Sequence, residues 1–381
     1  MSRWLGAIAL ALPLIAVGAG CGGSSSGGST SSSSASQSSG GSGTLKVAFV
    51  YSAAAQDGGW NAAMELGRQA LVRHFAGKVQ TTVKENVPDG PQDQQVLNGL
   101  IQDGYKVIVA TSFGQQKYTY QLAQQHPDVK FLQVEGLKPM PNVTNFDANG
   151  SDGFYIAGMA AAASAKGDML GIVGGFPLST QLAQVNAFEL GAQKVNPAAK
   201  TKVIWTNDWY SLSKAQDAGQ ALVSSGVKAL TLFTTGPGIA PVAKSTNTPW
   251  IGFEVDQSGY APQQYVTGVT FNWAPFFIDN IQQILGGTWK ANPNDYAGLS
   301  DGVVQIQPQW GHAFAGAASV KGKIQQAIDG LRNDTAYVFA GPLKDRSGKL
   351  RIPAGKHASD VDIETMNYVV PGVVGVIPGM G

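Results

Sequence analysis

The sequence has little cysteine and little charge. Its 381 residues include a single cysteine, Cys21, so an intramolecular disulfide cannot form. Asp, Glu, Lys and Arg together make up 13% of the chain, about half of the share found in an average protein. The polar surface must therefore consist largely of Gln, Asn, Ser and Thr, which is typical of a protein that works outside the cytoplasm.

An excess of charge of one sign is also missing. The formal net charge is +1, and the chain shows no stripe of Lys and Arg. We therefore expect no nucleic-acid partner, because binding to phosphates needs clustered cations. After the N-terminus, no apolar run reaches the roughly 20 residues of a membrane helix. Hydrophobic residues nevertheless make up 43% of the chain, enough for a sizeable core in two or three domains.

Patterns that indicate catalysis are absent as well. The sequence has no G-x-S-x-G elbow and no Walker A loop. The run "GIVGGF" at 171–176 lacks the glycine spacing of a dinucleotide loop. The histidines show no metal-ligand spacing; they are His74, His126, His312 and His357. We therefore expect neither an enzyme nor a bound cofactor or metal.

The N-terminus has the layout of a secretory signal peptide, predicted over residues 1–20. Arg3 precedes an apolar stretch that ends in small residues just before Cys21. A cysteine in this place resembles the lipobox of bacterial lipoproteins, although Gly18 stands where a leucine is usual. We predict that Cys21 is acylated; a short membrane helix and an ordinary cleaved signal remain alternatives. Residues 21–43 are rich in Ser and Gly and are predicted to be a flexible linker.

From residue 45 onwards, short β-branched runs alternate with helical segments. This rhythm predicts βαβ units, and therefore α/β lobes with parallel sheets. Two sets of such units follow each other, which predicts two lobes. The first lobe is predicted to contain residues 44–148 together with residues from about 273 to 300. The second lobe is predicted from residues 149–272 with about 301–381, the tail being the least defined part. The segment 337–353, "YVFAGPLKDRSGKLRIP", is predicted to be a hairpin that turns at Gly348.

Aromatic and polar residues follow the predicted strands, at the edge of the sheet where α/β proteins bind ligands. Flat aromatic faces can enclose a planar ring, and carboxylates and amides can fix its polar groups. Asp57 could instead only cap the following helix, and Phe113 and Phe176 could belong to the core. Trp205, Trp250 and Trp289 are expected to pack inside the lobes. The candidate ligand-binding residues are Asp57, Trp60, Asn61, Ser112, Phe113, Phe176, Asn207, Trp209, Glu254, Asp256, Asn272 and Trp273.

Several of these segments resemble the basic membrane lipoprotein (BMP) family of substrate-binding proteins of ABC importers. The resemblance covers residues 45–378. It is carried in order by "KVAFVYSAAAQDGGWNAAMELGRQAL", "AFELGAQKVNP", "KVIWTNDWYSLSKAQDAGQALVSSG" and "VFAGPLKDRSGKLRIPAG". It implies a type I periplasmic-binding-protein fold with two Rossmann-like lobes, a hinge of several segments, and a ligand enclosed between the lobes.

The resemblance also implies roles for single residues. Trp60 and Trp209 would be aromatic walls, Asp57 and Asn61 polar contacts, and Gly236 a backbone contact. Asp256 would hold ribose hydroxyls or a ring N–H. Nucleoside-binding relatives usually carry a lysine near the position that Asn272 and Trp273 occupy here. This departure favours a flatter, less hydroxylated ligand, so a free purine base such as adenine is at least as strong a candidate as a nucleoside.

These observations predict a monomeric lipoprotein that is anchored to the cell membrane by Cys21. It would capture a purine base or nucleoside and deliver it to an ABC permease in the membrane. Two other functions remain open at this point. The protein could be a sensor of a small aromatic metabolite or, with less support from the residues, a nucleoside hydrolase.

Overall fold

The computed structural model describes residues 43–378. The predicted signal peptide, Cys21 and nearly all of the predicted linker lie outside the described residues. In chain order the strands are β1 (Leu45–Val50), β2 (Val79–Lys84), β3 (Val107–Ala110), β4 (Lys130–Val134), β5 (Val143–Ala148), β6 (Met169–Gly174), β7 (Lys200–Trp205), β8 (Leu230–Phe233), β9 (Trp250–Glu254), β10 (Tyr265–Phe271), β11 (Asp295–Ala297), β12 (Val304–Ile306), β13 (Leu343–Lys344), β14 (Leu350–Ile352) and β15 (Val373–Val374).

Helices alternate with these strands, as the sequence pattern predicts. None of the helices within residues 43–378 has the length and apolar character needed to cross a membrane. The helices are α1 (Trp60–His74), α2 (Pro91–Gln102), α3 (Gln116–Gln125), α4 (Gly150–Ser164), α5 (Ser179–Val195), α6 (Leu212–Ser224), α7 (Ala240–Thr246), α8 (Ala274–Leu285), α9 (Ala318–Arg332) and α10 (Asp360–Glu364).

Two larger sheets organise the described residues. The first has six strands in the order β11-β5-β4-β3-β1-β2, and all of its pairs are parallel. The second has seven strands in the order β12-β10-β9-β8-β6-β7-β15 and is parallel except for the pair of β10 with β12. The predicted parallel α/β sheets are thus confirmed, and the predicted hairpin is present as the antiparallel pair β13–β14.

The chain passes between the two sheets three times: after β5, after β10 and after β11. In both sheets the central strands are buried, as expected where helices cover both faces. Trp250 is fully buried, and Trp205 and Trp289 pack against the core as predicted. The boundaries of the two lobes stay a prediction, since sheet membership does not assign the loops and the tail.

Candidate functional site

A cavity of about 160 Å³ lies where the carboxyl ends of strands from both sheets meet. We call it the cleft. Parallel strands present their carboxyl ends at one edge, which is where α/β folds bind ligands. The cleft is lined by Trp60, Asp89, Thr111, Ser112, Phe113, Gly114, Val134, Glu135, Asp147, Ala148, Leu178, Thr180, Gln181, Gln184, Trp209, Tyr210, Phe233, Thr235, Phe253, Glu254 and Phe271.

Trp60, the first residue of α1, is held in place at the wall of the cleft. Its indole Nε1 donates a hydrogen bond of 2.8 Å to the carbonyl oxygen of Thr111. Its ring makes edge-to-face contacts with Phe271 and Trp273, at centroid distances of 6.0 and 5.7 Å. Because the indole N–H is already paired, the ring offers a ligand its aromatic surface and not its polar group.

Asp57 holds the start of α1 in place and does not line the cleft. Its carboxylate accepts hydrogen bonds from the backbone nitrogens of Gly59, Asn61 and Ala62, at 2.9 to 3.1 Å. It also accepts one from the side-chain amide of Asn61, which is fully buried. These bonds satisfy amides that a helix N-terminus otherwise leaves unpaired. The capping role that the sequence left open for Asp57 is thus observed.

The two glycines before Trp60 let the loop after β1 approach the second sheet closely. Gly58 has a φ of +73°, a conformation that favours glycine. A Cβ atom on Gly59 would collide with the Glu254 carboxylate and lie 2.6 Å from the backbone nitrogen of Gly236. Gly236 is buried behind this contact and does not line the cleft.

Glu254 ends β9 with its carboxyl group in the wall of the cleft. It is buried, with 5% of its surface exposed, and within residues 43–378 its Oε2 has no hydrogen-bond partner. Burial raises the pKa of Glu254 well above its usual range, and the charge of Asp57 adds to this effect. Its φ of +71° is strained for a residue with a side chain. A buried, protonated carboxyl group of this kind can donate as well as accept a hydrogen bond.

Two further carboxyl groups lie at the ends of neighbouring strands in the first sheet. Glu135 follows β4 and Asp147 lies in β5, and both line the cleft. Burial raises the pKa of Glu135, and burial together with the charge of Glu135 raises that of Asp147. Among the described residues that line the cleft there is no Lys or Arg. The polar part of the cleft therefore consists of carboxyl, hydroxyl and amide groups without a fixed cation among its described lining residues.

The loop after β7, a strand of the second sheet, supplies another aromatic residue of the cleft. Trp209 lines the cleft, and its ring contacts Phe176 at a centroid distance of 5.1 Å. The Asp208 carboxylate fixes the loop by accepting bonds from the backbone nitrogens of Tyr210 and Ser211, both at 2.9 Å. Asn207, at a φ of +52°, is exposed and is not among the residues that line the cleft.

The structure brings five of the predicted site residues together in the cleft wall: Trp60, Ser112, Phe113, Trp209 and Glu254. Ser112 donates a hydrogen bond of 2.7 Å to Asp89, which also lines the cleft. The other predicted residues lie outside the lining set. They are Asp57, Asn61, Phe176, Asn207, Gly236, Asp256, Asn272 and Trp273.

Three of the residues outside the cleft have clear local roles. Trp273 is fully buried behind Trp60 and packs on Phe146 at a centroid distance of 5.3 Å. Asn272 accepts a bond of 3.3 Å from the backbone nitrogen of Ala274, where α8 begins. Asp256 is exposed and accepts one of 2.9 Å from Ser258.

Several lining residues were not among the sequence candidates. Glu135 and Asp147 follow the same rule as Glu254, since each is an acid at the end of a parallel strand. Gln181 and Gln184 come from α5, and both have a buried Oε1 without a partner in the described part of the chain. Helix residues of this kind give no strand-end signal in the sequence.

Comparison with known proteins finds relatives along most of the chain. A protein of Brucella abortus named a purine-binding protein is 32% identical over 335 residues, covering 88% of this chain and 94% of its own. A protein of Haloferax volcanii named for glucose binding by an ABC transporter is 25% identical over 336 residues, covering 88% and 82%.

The architecture also matches solved structures. A solute-binding protein of an ABC transporter from Conexibacter woesei superposes with a TM-score of 0.63 at 21% identity, covering 77% of this chain and 98% of its own. The predicted type I periplasmic-binding fold is thus confirmed. The family model described as "ABC transporter substrate-binding protein PnrA-like" matches residues 44–327, so the chain belongs to the Bmp family of ABC transporter substrate-binding proteins.

Proposed function

We propose that the chain is a membrane-anchored lipoprotein that captures a purine base or nucleoside for an ABC importer. The observation that carries this proposal is the composition of the cleft: aromatic rings that follow strands of both sheets, together with carboxyl, amide and hydroxyl groups. A planar, nitrogen-rich ring with N–H donors is complementary to both. The purine-binding name of the Brucella abortus relative supports the same ligand class.

In this proposal Trp60, Trp209 and Phe113 contact the faces or edges of the base. Glu254 and Ser112 pair with its ring nitrogens and amino groups. The unpaired Oε1 atoms of Gln181 and Gln184 accept further N–H or O–H groups of the ligand. A ligand that satisfies buried acceptors gains affinity because those groups otherwise stay desolvated and unpaired. Asp57 and Trp273 act indirectly, by positioning Trp60.

The ligand would be captured because it binds one arrangement of the protein more tightly than another. A ligand that contacts residues of both sheets stabilises the arrangement in which the cleft is closed. The closed protein, acting as a monomer held to the membrane by the lipid on Cys21, would then deliver the ligand to the permease. Its place would accordingly be outside the cytoplasm.

Isothermal titration of the full chain with adenine, adenosine, guanosine and D-glucose tests the ligand class. The expected result is saturable heat with at least one purine and none with glucose. Glucose is included because the Haloferax volcanii relative is named for it. Binding of glucose without any purine would overturn the proposed ligand while leaving the family assignment intact.

A further inference from the structure

A second cavity, of about 350 Å³, lies apart from the cleft. One side is formed by residues 149–152 and 296–301, from two of the segments that pass between the sheets. The other side is formed by residues 331–363. Those residues lie beyond the stretch 44–327 that the family model matches, so the matched part of the chain does not complete this cavity.

Four aspartates converge on the second cavity: Asp152, Asp301, Asp334 and Asp360. Neither Lys nor Arg is among the described residues that line it. None of the four aspartates forms an ion pair with another residue in the range 43–378. Burial, followed by the charges of the other three, raises the pKa of Asp152 to about 6. The cavity thus concentrates negative charge that no cation of the described chain neutralises.

Two buried polar atoms without partners among residues 43–378 belong to residues that line the second cavity. Ser151 is buried, with 1% of its surface exposed, and its hydroxyl has no hydrogen-bond partner among residues 43–378. The Oδ1 atom of Asn149 is likewise buried and unpaired within that range. Both residues line the second cavity. Buried polar groups are nearly always paired, so these two atoms indicate a ligand that supplies hydrogen-bond donors.

Aromatic surface complements the acidic groups. Tyr296, Tyr337 and Phe339 line the second cavity. Tyr337 stacks on His357 with parallel rings 3.7 Å apart, which gives a flat wall. Aromatic faces attract ammonium groups and also pack well against methylene chains.

The arrangement of the acids disfavours a single metal ion. No three His, Cys, Asp or Glu side chains in the described residues are grouped so that they could hold one. Separated carboxylates, unpaired acceptors and aromatic walls instead suit several ammonium groups joined by an aliphatic chain. We propose that the second cavity binds an aliphatic diamine or polyamine, with its ammonium groups on the aspartates and its methylenes on the aromatic wall.

Titration of the full chain with spermidine at low ionic strength tests this assignment. The informative variant is D334N/D360N, which removes two negative charges from the lining of the second cavity. Both side chains are exposed. The matched control is D103N/D217N, two exposed aspartates that line neither the cleft nor the second cavity. We expect one saturable site, an affinity at least tenfold lower in D334N/D360N, and no change in the control.

Three results would overturn the proposal: no saturable spermidine binding, an equal loss in both double variants, or binding of Ca²⁺ in place of spermidine. The cleft is also acidic, so a Glu135→Gln variant is included. Spermidine binding that is lost in this variant but kept in D334N/D360N would assign the amine to the cleft and also overturn the proposal. Purine titration of D334N/D360N, expected to match wild type, keeps this test independent of the proposed transport function.

Discussion

The phenol oxygen of Tyr210 lies 2.6 Å from the hydroxyl of Ser52, so a hydrogen bond joins the loop after β7 to the loop after β1. These loops belong to different sheets, and Tyr210 lines the cleft. A second bond across the same gap, of 2.9 Å, runs from the side-chain amide of Gln257 to the carbonyl oxygen of Gly58. The two sheets are therefore linked by side chains at the rim of the cleft as well as by the three passing segments.

Tyr210→Phe removes the bond to Ser52 and keeps the ring. If the bond stabilises the closed cleft, we expect a purine to bind about 2- to 13-fold more weakly, matching about 0.5–1.5 kcal/mol for one hydrogen bond. The loss should appear as faster dissociation, measured by stopped-flow fluorescence. Tyr105→Phe, remote from the cleft, is the control. An unchanged dissociation rate in Tyr210→Phe would show that the bond has no part in retention.

Trp60→Ala tests whether the indole contacts the base. Base–aromatic stacking contributes about 1–3 kcal/mol, so the affinity for a purine should fall by about 5- to 150-fold. The comparison variant is Trp289→Ala, because Trp289 is a half-buried tryptophan whose Nε1 bonds to Asn280 away from the cleft. Calorimetry of both variants, with a thermal melt to confirm folding, provides the measurement. Equal affinity in wild type and Trp60→Ala would remove Trp60 from the binding site.

Glu254 can be tested by two substitutions that separate shape from charge. Burial raises the pKa of Glu254 well above its usual range. If the carboxyl group is protonated at pH 7, Glu254→Gln should keep purine affinity to within about threefold, a loss of no more than about 0.7 kcal/mol. Glu254→Ala removes the polar group and should weaken binding at least tenfold, since a ligand donor then loses its partner. Calorimetry at pH 7 measures both. A large loss in Glu254→Gln would mean that the ionised carboxylate is the binding form.

The fold could be predicted well from the sequence, because buried parallel strands give β-branched runs that Gly and polar residues interrupt. Strand β5 is an exception. Its sequence, "VTNFDA", carries Asn145 in the middle of the strand, where the side-chain amide donates bonds to the carbonyl oxygens of Lys138 and Pro293. One of these partners, Pro293, is distant in sequence, so the pattern alone does not indicate a strand. The acid at its end, Asp147, is accordingly missing from the candidate residues of the sequence analysis.

The site was predictable where a side chain directly follows a recognised strand, as for Glu254, or starts the helix behind it, as for Trp60. The site was not predictable where the direction of a side chain decides whether the residue lines the cleft or packs in the core. Trp273 follows β10 like a candidate ring, yet it packs with Phe277 in the core while Phe271 lines the cleft. Which of two nearby rings turns inward depends on α8, and therefore on tertiary packing.

The pH dependence of stability can be tested at Glu189, which lies outside the cleft. Burial raises the pKa of Glu189 to about 7, although Thr201 and Gln193 each donate it a hydrogen bond of 2.6 Å. An unfolded glutamate titrates near pH 4.3. The folded state therefore holds the proton more tightly, and its stability is greatest below about pH 4 and falls as the pH rises through about 7.

Glu189→Gln removes this titration. Between pH 5 and pH 8, wild type should lose on the order of 1–3 kcal/mol more free energy of unfolding than the variant. Urea unfolding at both pH values measures the difference, and other titrating groups cancel because both proteins contain them. Parallel pH curves for the two proteins would show that Glu189 does not hold its proton in the folded state.

The charge of the cleft makes a prediction about phosphorylated ligands. Asp89, Glu135, Asp147 and Glu254 line it, and no cation is present among its described lining residues. A phosphate group carries up to two negative charges, and the described lining offers no Lys or Arg to pair with them. Adenosine monophosphate should therefore bind at least 100-fold more weakly than adenosine, measured by competition calorimetry. In Glu135→Gln this ratio should shrink, because a carboxyl group whose pKa burial raises to about 7 is replaced by a neutral amide that supplies N–H donors. Equal binding of the nucleoside and its monophosphate would mean that the phosphate projects out of the cleft, and that the acids do not select against charge.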